Sequence, residues 1–210
     1  KDAGSSAVEY YDTATITSNS GSIALDRSVY PVPFKVADLR EGNNDQTGQD
    51  EAGKVVAWIT VTDVDFTGDT LTTTTAGTAG TILVKLIQGS TTSTIFTAGS
   101  ATSADASGST LEELGPLSEV EMGTSIYETS MTIQNTQDCG ACTDSTLTPK
   151  SGNILQVEYV DTANSAGGTS TSYDSSTFDL RTGSLTVDKD VYVLGSDVVI
   201  TLTDPDLNLD

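Results

Sequence analysis

"YDTATITSNSGSIALDRSVYPVPF", Tyr11 to Phe34, and "YDSSTFDLRTGSLTVDKDVYVLGS", Tyr173 to Ser196, are one phrase written twice. The second copy lies 162 residues after the first, with no gap. Tyr11/Tyr173, Asp12/Asp174, Gly21/Gly183, Ser22/Ser184, Asp26/Asp188, Val29/Val191 and Tyr30/Tyr192 coincide. Ile23 and Leu25 in one copy, and Leu185 and Val187 in the other, alternate with more polar or smaller residues. That period of two marks a strand with one face turned to a core. Self-similarity at a fixed spacing marks tandem architecture, in which one structural unit recurs along the chain.

The next strand recurs as well. "TVTDVDFTGD" starts at Thr60 and "TLTDPDLNLD" at Thr201, an offset of 141, so the first copy carries 21 more residues before this strand. They fall in or near "ADLREGNNDQTGQDEAG", Ala37 to Gly53, whose polar, Gly-rich composition is that of a loop. A third echo joins "VEYYDTA" at Val8 to "VEYVDTA" at Val157. Such a segment closes a unit. The expected organisation is the end of a preceding unit in 1–20, one complete unit in 21–163, a linker in 164–182 and the start of the next unit in 183–210. The chain then reads as a window on a longer array. The rival reading is a small subunit whose loose strands are finished by a neighbouring chain.

Inside the unit, apolar alternation predicts strands at "SIALDRSVYP", "KVVAWITVTD", "TLTTTTAG", "TILVKLIQG", "STIFTAG", "SIYETSMTI" and "NILQVEYVD". Only Ser109–Met122 offers room for a helical turn before Gly115–Pro116. About seven short antiparallel strands without βαβ alternation predict an all-β, immunoglobulin-like antiparallel sandwich, with a jelly roll or other Greek key as the alternative. Trp58, Ile59, Val61, Ile82, Val84, Leu86, Ile133, Leu155 and Val157 are the expected core, and Leu25 and Val187 are expected to be buried at matching places.

Charge narrows the function classes. Thirty acidic residues oppose nine basic ones, a formal charge of −21, and histidine is absent. Nothing here could neutralise nucleic-acid phosphates, and an anionic membrane would repel the chain. No apolar run approaches the roughly 20 residues of a membrane span. Without histidine, Ser–His and Cys–His catalytic arrangements are impossible, and no phosphate-binding loop of the G-x-x-x-x-G-K-[ST] type occurs. The expectation is a non-enzymatic chain whose surface concentrates cations.

Two motifs carry chemistry. Asp63, Asp65 and Asp69 follow one strand, and Asp204, Asp206, Asn208 and Asp210 follow its repeat. Alternate side chains of an extended segment share a side, so a turn could gather these oxygens around calcium, where one unit meets the next. The plain reading is turn chemistry, because Asp–Pro and Asp–Val–Asp hydrogen-bond their own backbone. Cys139 and Cys142, in "DCGACTD", are the only cysteines. The segment that follows is a poor helix, which disfavours a redox site; a small disulfide pinning a loop in an oxidising space is expected.

Four phrases resemble a known family. "GSIALDRSVYPVPF" is similar to the strand that opens immunoglobulin-like repeats in S-layer proteins of ammonia-oxidising archaea, and "VVITLTDPDLNLD" to the strand that follows it. "MGTSIYETSMTI" and "NILQVEYVDTA" resemble two later strands, the second of them the closing one. The resemblance implies a secreted, lattice-forming subunit of the cell surface, working through domain stacking, self-association and an acidic face. A pilus or adhesin stalk of the same domains is the alternative. A carbohydrate-binding module is a third class; it wants exposed aromatic platforms, and the one tryptophan sits on a core-patterned strand.

Overall fold

The computed structural model describes residues 19–34, 53–66, 68–73, 81–104, 111–139, 146–180 and 183–204. Among the described residues every regular element is a strand. The chain supplies β-branched residues, Thr and Ser in alternation, which suits a pleated, half-buried surface better than a helix.

Two sheets share one core. The first orders β1 (Ser22–Leu25), β3 (Val55–Thr62), β9 (Ile126–Ile133), β8 (Leu117–Glu119) and β4 (Thr70–Leu71), all antiparallel. The second orders β2 (Val29–Pro31), β13 (Ser170–Asp179), β12 (Ile154–Asp161), β5 (Ile82–Gln88), β6 (Thr91–Ala98) and β7 (Glu112–Glu113). In it β2 runs parallel to β13 and β7 parallel to β6, while the other pairs are antiparallel. The opening strand thus changes sheet between Leu25 and Val29. A two-stranded ladder of β10 (Gln137–Asp138) and β11 (Thr146–Leu147) stands apart. Gly89 takes φ 62° in the two-residue turn between β5 and β6, a conformation open to glycine at little cost.

Val55, Ala57, Ile59 and Val61 face inward from the first sheet, with Leu117, Tyr127, Met131 and Ile133. They meet Ile82, Val84, Leu86, Leu155, Val157 and Phe178 of the second. This is the arrangement of a β-sandwich. All the expected core residues take part except one. Trp58 is 46% exposed. It neighbours Ile59 on a strand of period two, so only one of the pair can face in, and the register Ile59↔Thr129 gives that place to the isoleucine.

Two further expectations are corrected. Ser109–Met122 holds no helical turn in its described part; Glu112–Glu113 and Leu117–Glu119 are short strands. Within 164–182, read as a linker, Ser170–Asp179 is a ten-residue strand between β12 and β2. Its inward face offers Ser176 and Phe178, too little apolar alternation to read as a core strand.

Beyond the sandwich, β14 (Ser184–Val187) pairs with β15 (Ile200–Thr203). Ser184↔Thr203, Leu185↔Leu202, Thr186↔Thr201 and Val187↔Ile200 repeat, residue for residue at the offsets of 162 and 141, Ser22↔Thr62, Ile23↔Val61, Ala24↔Thr60 and Leu25↔Ile59. Burial does not repeat. Leu25 packs against the core, whereas Val187 is 52% exposed, with no second sheet over it among the described residues.

Candidate functional site at the acidic pole

The ends of β1, β3 and β12 converge at one pole of the sandwich. Asp63 follows β3 and is buried; its Oδ2 accepts from the Tyr159 hydroxyl at 2.6 Å and its Oδ1 from the Asp65 N–H at 3.1 Å. Asp161 ends β12, also buried; its Oδ2 accepts from the Gly21 N–H at 2.9 Å and its Oδ1 from the Ala163 N–H at 2.8 Å. Asp65 turns outward and accepts from the Asn19 backbone N–H at 2.6 Å and its amide at 3.3 Å. Ser20 and Ser165 hydroxyls meet at 3.1 Å. A Cβ on Gly21 would lie 2.6 Å from the Tyr159 ring, so glycine is what lets the incoming chain pass there.

Burial, then the bond to Asp63, then the charges of Asp63 and Asp161 push the Tyr159 hydroxyl well above its ordinary range. It therefore stays a donor. A cavity of about 180 Å³ opens beside it, lined by Asp63, Asp161, Thr72, Thr73 and Thr81 among others. Among the described residues the Thr81 hydroxyl oxygen, buried there, has no hydrogen-bond partner. The arrangement ties the entering chain to two strand ends; its carboxylates are acceptors for protein donors.

Of the expected cation ligands, the structure brings Asp63 and Asp65 together. Both line the cavity beside Tyr159; the chain turns at Asp63–Phe66, with Asp63 buried and Asp65 exposed. Asp69 is exposed, with its carbonyl paired to Glu119. Among the described residues no group of three or more His, Cys, Asp or Glu is placed to hold a metal. Asp204 approaches Gly183 as Asp63 approaches Gly21, with Oδ2 at 3.4 and 3.2 Å from the glycine's Cβ position. Asp206, Asn208 and Asp210 lie outside the described residues. Cys139 is buried against the core, and Cys142 also lies outside them, so the expected ring is not placed.

A second device was visible in the repeat only as coincident letters. Asp26 Oδ1 accepts from the Tyr30 hydroxyl at 2.5 Å and from the Trp58 N–H at 2.8 Å. Asp188 Oδ1 accepts from the Tyr192 hydroxyl at 2.5 Å and from the Val199 N–H at 3.0 Å. The backbone N–H of each aspartate returns a bond to the carbonyl of Trp58 or Val199. Each aspartate also pairs with the next residue, Arg27 or Lys189. The clip fixes where the hairpin opens in both copies.

No protein-family model matches the chain, and no curated protein is similar to it.

Proposed function

We propose that the chain is a structural segment of an extracellular surface layer, built from tandem immunoglobulin-like sandwiches and working through domain stacking, self-association and its acidic surface. The observation that carries this reading is the second hairpin: β14–β15 repeats the register and the aspartate–tyrosine clip of β1–β3. The repeat therefore reaches down to individual hydrogen bonds, as the start of a second like unit would. The immunoglobulin-like assignment rests on strand order. An opening strand pairs antiparallel in one sheet, switches, and runs parallel to the last strand of the other. In this reading no residue does covalent chemistry, calcium joins acidic unit ends, and Cys139 closes a small ring with Cys142.

The test is electron microscopy of the purified chain, concentrated with calcium and with chelator. Two-dimensional arrays are the expected outcome. Filaments alone would favour the pilus or adhesin stalk. Dispersed particles at every concentration would overturn both. Calcium's part fails if chelator leaves the arrays unchanged.

A carbohydrate-binding reading gains one observation. Trp58 is half-exposed on the outer face of β3, beside Ser130. Titrating soluble glycans against the emission of this single tryptophan tests it; no change in emission removes that reading.

A further inference from the structure

The outer face of the second sheet has an apolar centre. β5 turns Ile82, Val84 and Leu86 into the core, and it turns Leu83, Lys85 and Ile87 outward. β12 beside it buries Leu155, Val157 and Tyr159 and turns Ile154 and Val160 outward. A strand that is apolar on both sides has the pattern of one covered on both. The flanking strands differ. β6 presents Thr92 and Thr94 on this face, opposite Ile87 and Lys85, and β13 presents Ser175 and Thr177, opposite Gln156 and Ile154. An apolar centre with a polar rim is the anatomy of a contact surface.

Charge singles out the same face. Register sets Leu83, Glu158 and Tyr173 in one row and Lys85, Gln156 and Ser175 in the next. Lys85 bonds Glu158 diagonally between the rows, with side chains 21 and 14% exposed. Tyr173, beside Glu158, is 56% exposed. The middle of this face is therefore neutral, on a chain that carries −21. The other broad face is not. Glu128 points outward there, and β1, β3, β4, β8 and β9 contain no basic residue. Two copies meeting on that side would bring like charges together.

We propose that the outer face of the second sheet packs against the same face of a second copy of the chain, across a two-fold axis, with Lys85 of each copy against Glu158 of the other. The inference rests on the self-association reading above and names its contact. A two-fold contact joins one patch to itself, so the patch must complement itself. One cation beside one anion meets that condition when the axis lies in the contact plane, across the line that joins them. Leu83, Ile154, Val160 and Tyr173 then lose their remaining exposure to the second copy. The four strands β13, β12, β5 and β6 cover about 19 Å by 24 Å at the usual strand spacing and rise. That is about 450 Å² per copy, below the roughly 800 Å² per partner of complexes that are stable alone. A contact of this size holds weakly by itself and gains from repetition in an array.

Sedimentation velocity of the full chain tests it, at a salt concentration that screens the net charge; a partly buried pair is screened much less. The parent is expected to form dimers before any larger species. Lys85→Glu and Glu158→Lys are each expected to raise the dimer Kd by about tenfold or more. Mixed in equal amounts the two are expected to pair like the parent, because each glutamate of one chain then faces a lysine of the other. The double variant should recover as well. The mixture decides, since an ion pair that serves only its own strands is restored in the double variant and not in the mixture. Tyr173→Glu leaves the pair in place and is expected to weaken association too; it carries the test if the charge variants melt early. A parent that stays monomeric at every concentration, folded variants that associate like the parent, or a mixture of folded variants that does not pair would each overturn the inference. Layers that form unchanged from Tyr173→Glu and from both charge variants would sink this contact while leaving the surface-layer reading intact. Dimers without layers would do the reverse.

Discussion

The two copies of the repeated strand pair, β1–β3 and β14–β15, differ in what lies over them and in little else. Register, clip and adjacent ion pair are shared. Burial is not: Ile59 is fully buried and its counterpart Ile200 is 61% exposed. The comparison separates two layers of specification. Strand pairing and opening point are local, written in an aspartate, a tyrosine four residues on and two alternating runs. The hydrophobic contribution is supplied from outside, by the second sheet.

The sharpest way to break that separation is to truncate the same position twice. Ile59→Ala is expected to cost about 2–5 kcal/mol, the range for a buried aliphatic deletion. Ile200→Ala should stay within about 0.5 kcal/mol. Urea unfolding followed by Trp58 emission measures both at a concentration where the chain is monomeric. Equal losses would mean that the second hairpin is covered after all.

The clip comes next. Asp26→Ala leaves the fully buried Tyr30 without its hydroxyl partner and is expected to cost about 1–3 kcal/mol. Asp188→Ala should leave the unfolding midpoint alone and speed hydrogen exchange at the Val199 amide. A shifted midpoint would tie the hairpin to global unfolding.

Smaller effects follow from pH, at the basic end for the buried tyrosines and at the acidic end for Asp188. Burial first, then the bonds to Asp26 and Asp63, raise the hydroxyls of Tyr30 and Tyr159 above their ordinary value near 10.0. Their contribution to the sandwich is complete below that value and is lost as pH rises through the raised ones. Asp188 is lowered from 3.8, chiefly by the bond from Tyr192. Its contribution to the hairpin is present above 3.8 and is lost as pH falls through the lowered value. Ultraviolet titration should show Tyr30 and Tyr159 ionising late, and amide exchange should show β14–β15 loosening first in acid. Early ionisation of both tyrosines, or a hairpin unchanged in acid, would contradict the two bonding patterns.

The least effect is expected of Trp58→Phe, under about 1 kcal/mol, because the ring lies on the outer face. A larger loss in thermal melting would return it to the core.

Much of this fold was legible in the sequence, for a reason visible in Val55–Thr62. A strand covered on one face writes its register as alternation, and the repeat wrote that register twice. Trp58 misled because its size suggests a core while its parity excludes it. Ser170–Asp179 and Glu112–Glu113 were missed because their inward positions are polar. Glu113 is buried because its carboxylate accepts from the N–H groups of Ser100 and Gly115, a use of glutamate that no local pattern announces. At the acidic pole Asp63 and Asp65 were visible from their spacing. Gly21, Tyr159 and Asp161 reach the same place only through strand pairing, and nothing near them in sequence says so.

The parallel pairing of β2 with β13 has a mechanical meaning. One strand leads in from Gly21 at the acidic pole, and the other leads out toward Leu180 at the far pole. Tension applied across Gly21 and Leu180 pulls the two strands lengthwise in opposite directions. The bonds around Thr177↔Val29, Phe178↔Tyr30 and Asp179↔Pro31 are then loaded in shear, together, and do not peel one by one. The Tyr30–Phe178 ring contact sits within the sheared patch. Rupture under load is governed by the unfolding rate, so a short ladder in this orientation holds longer than its three residue pairs would in a hairpin pulled open from one end.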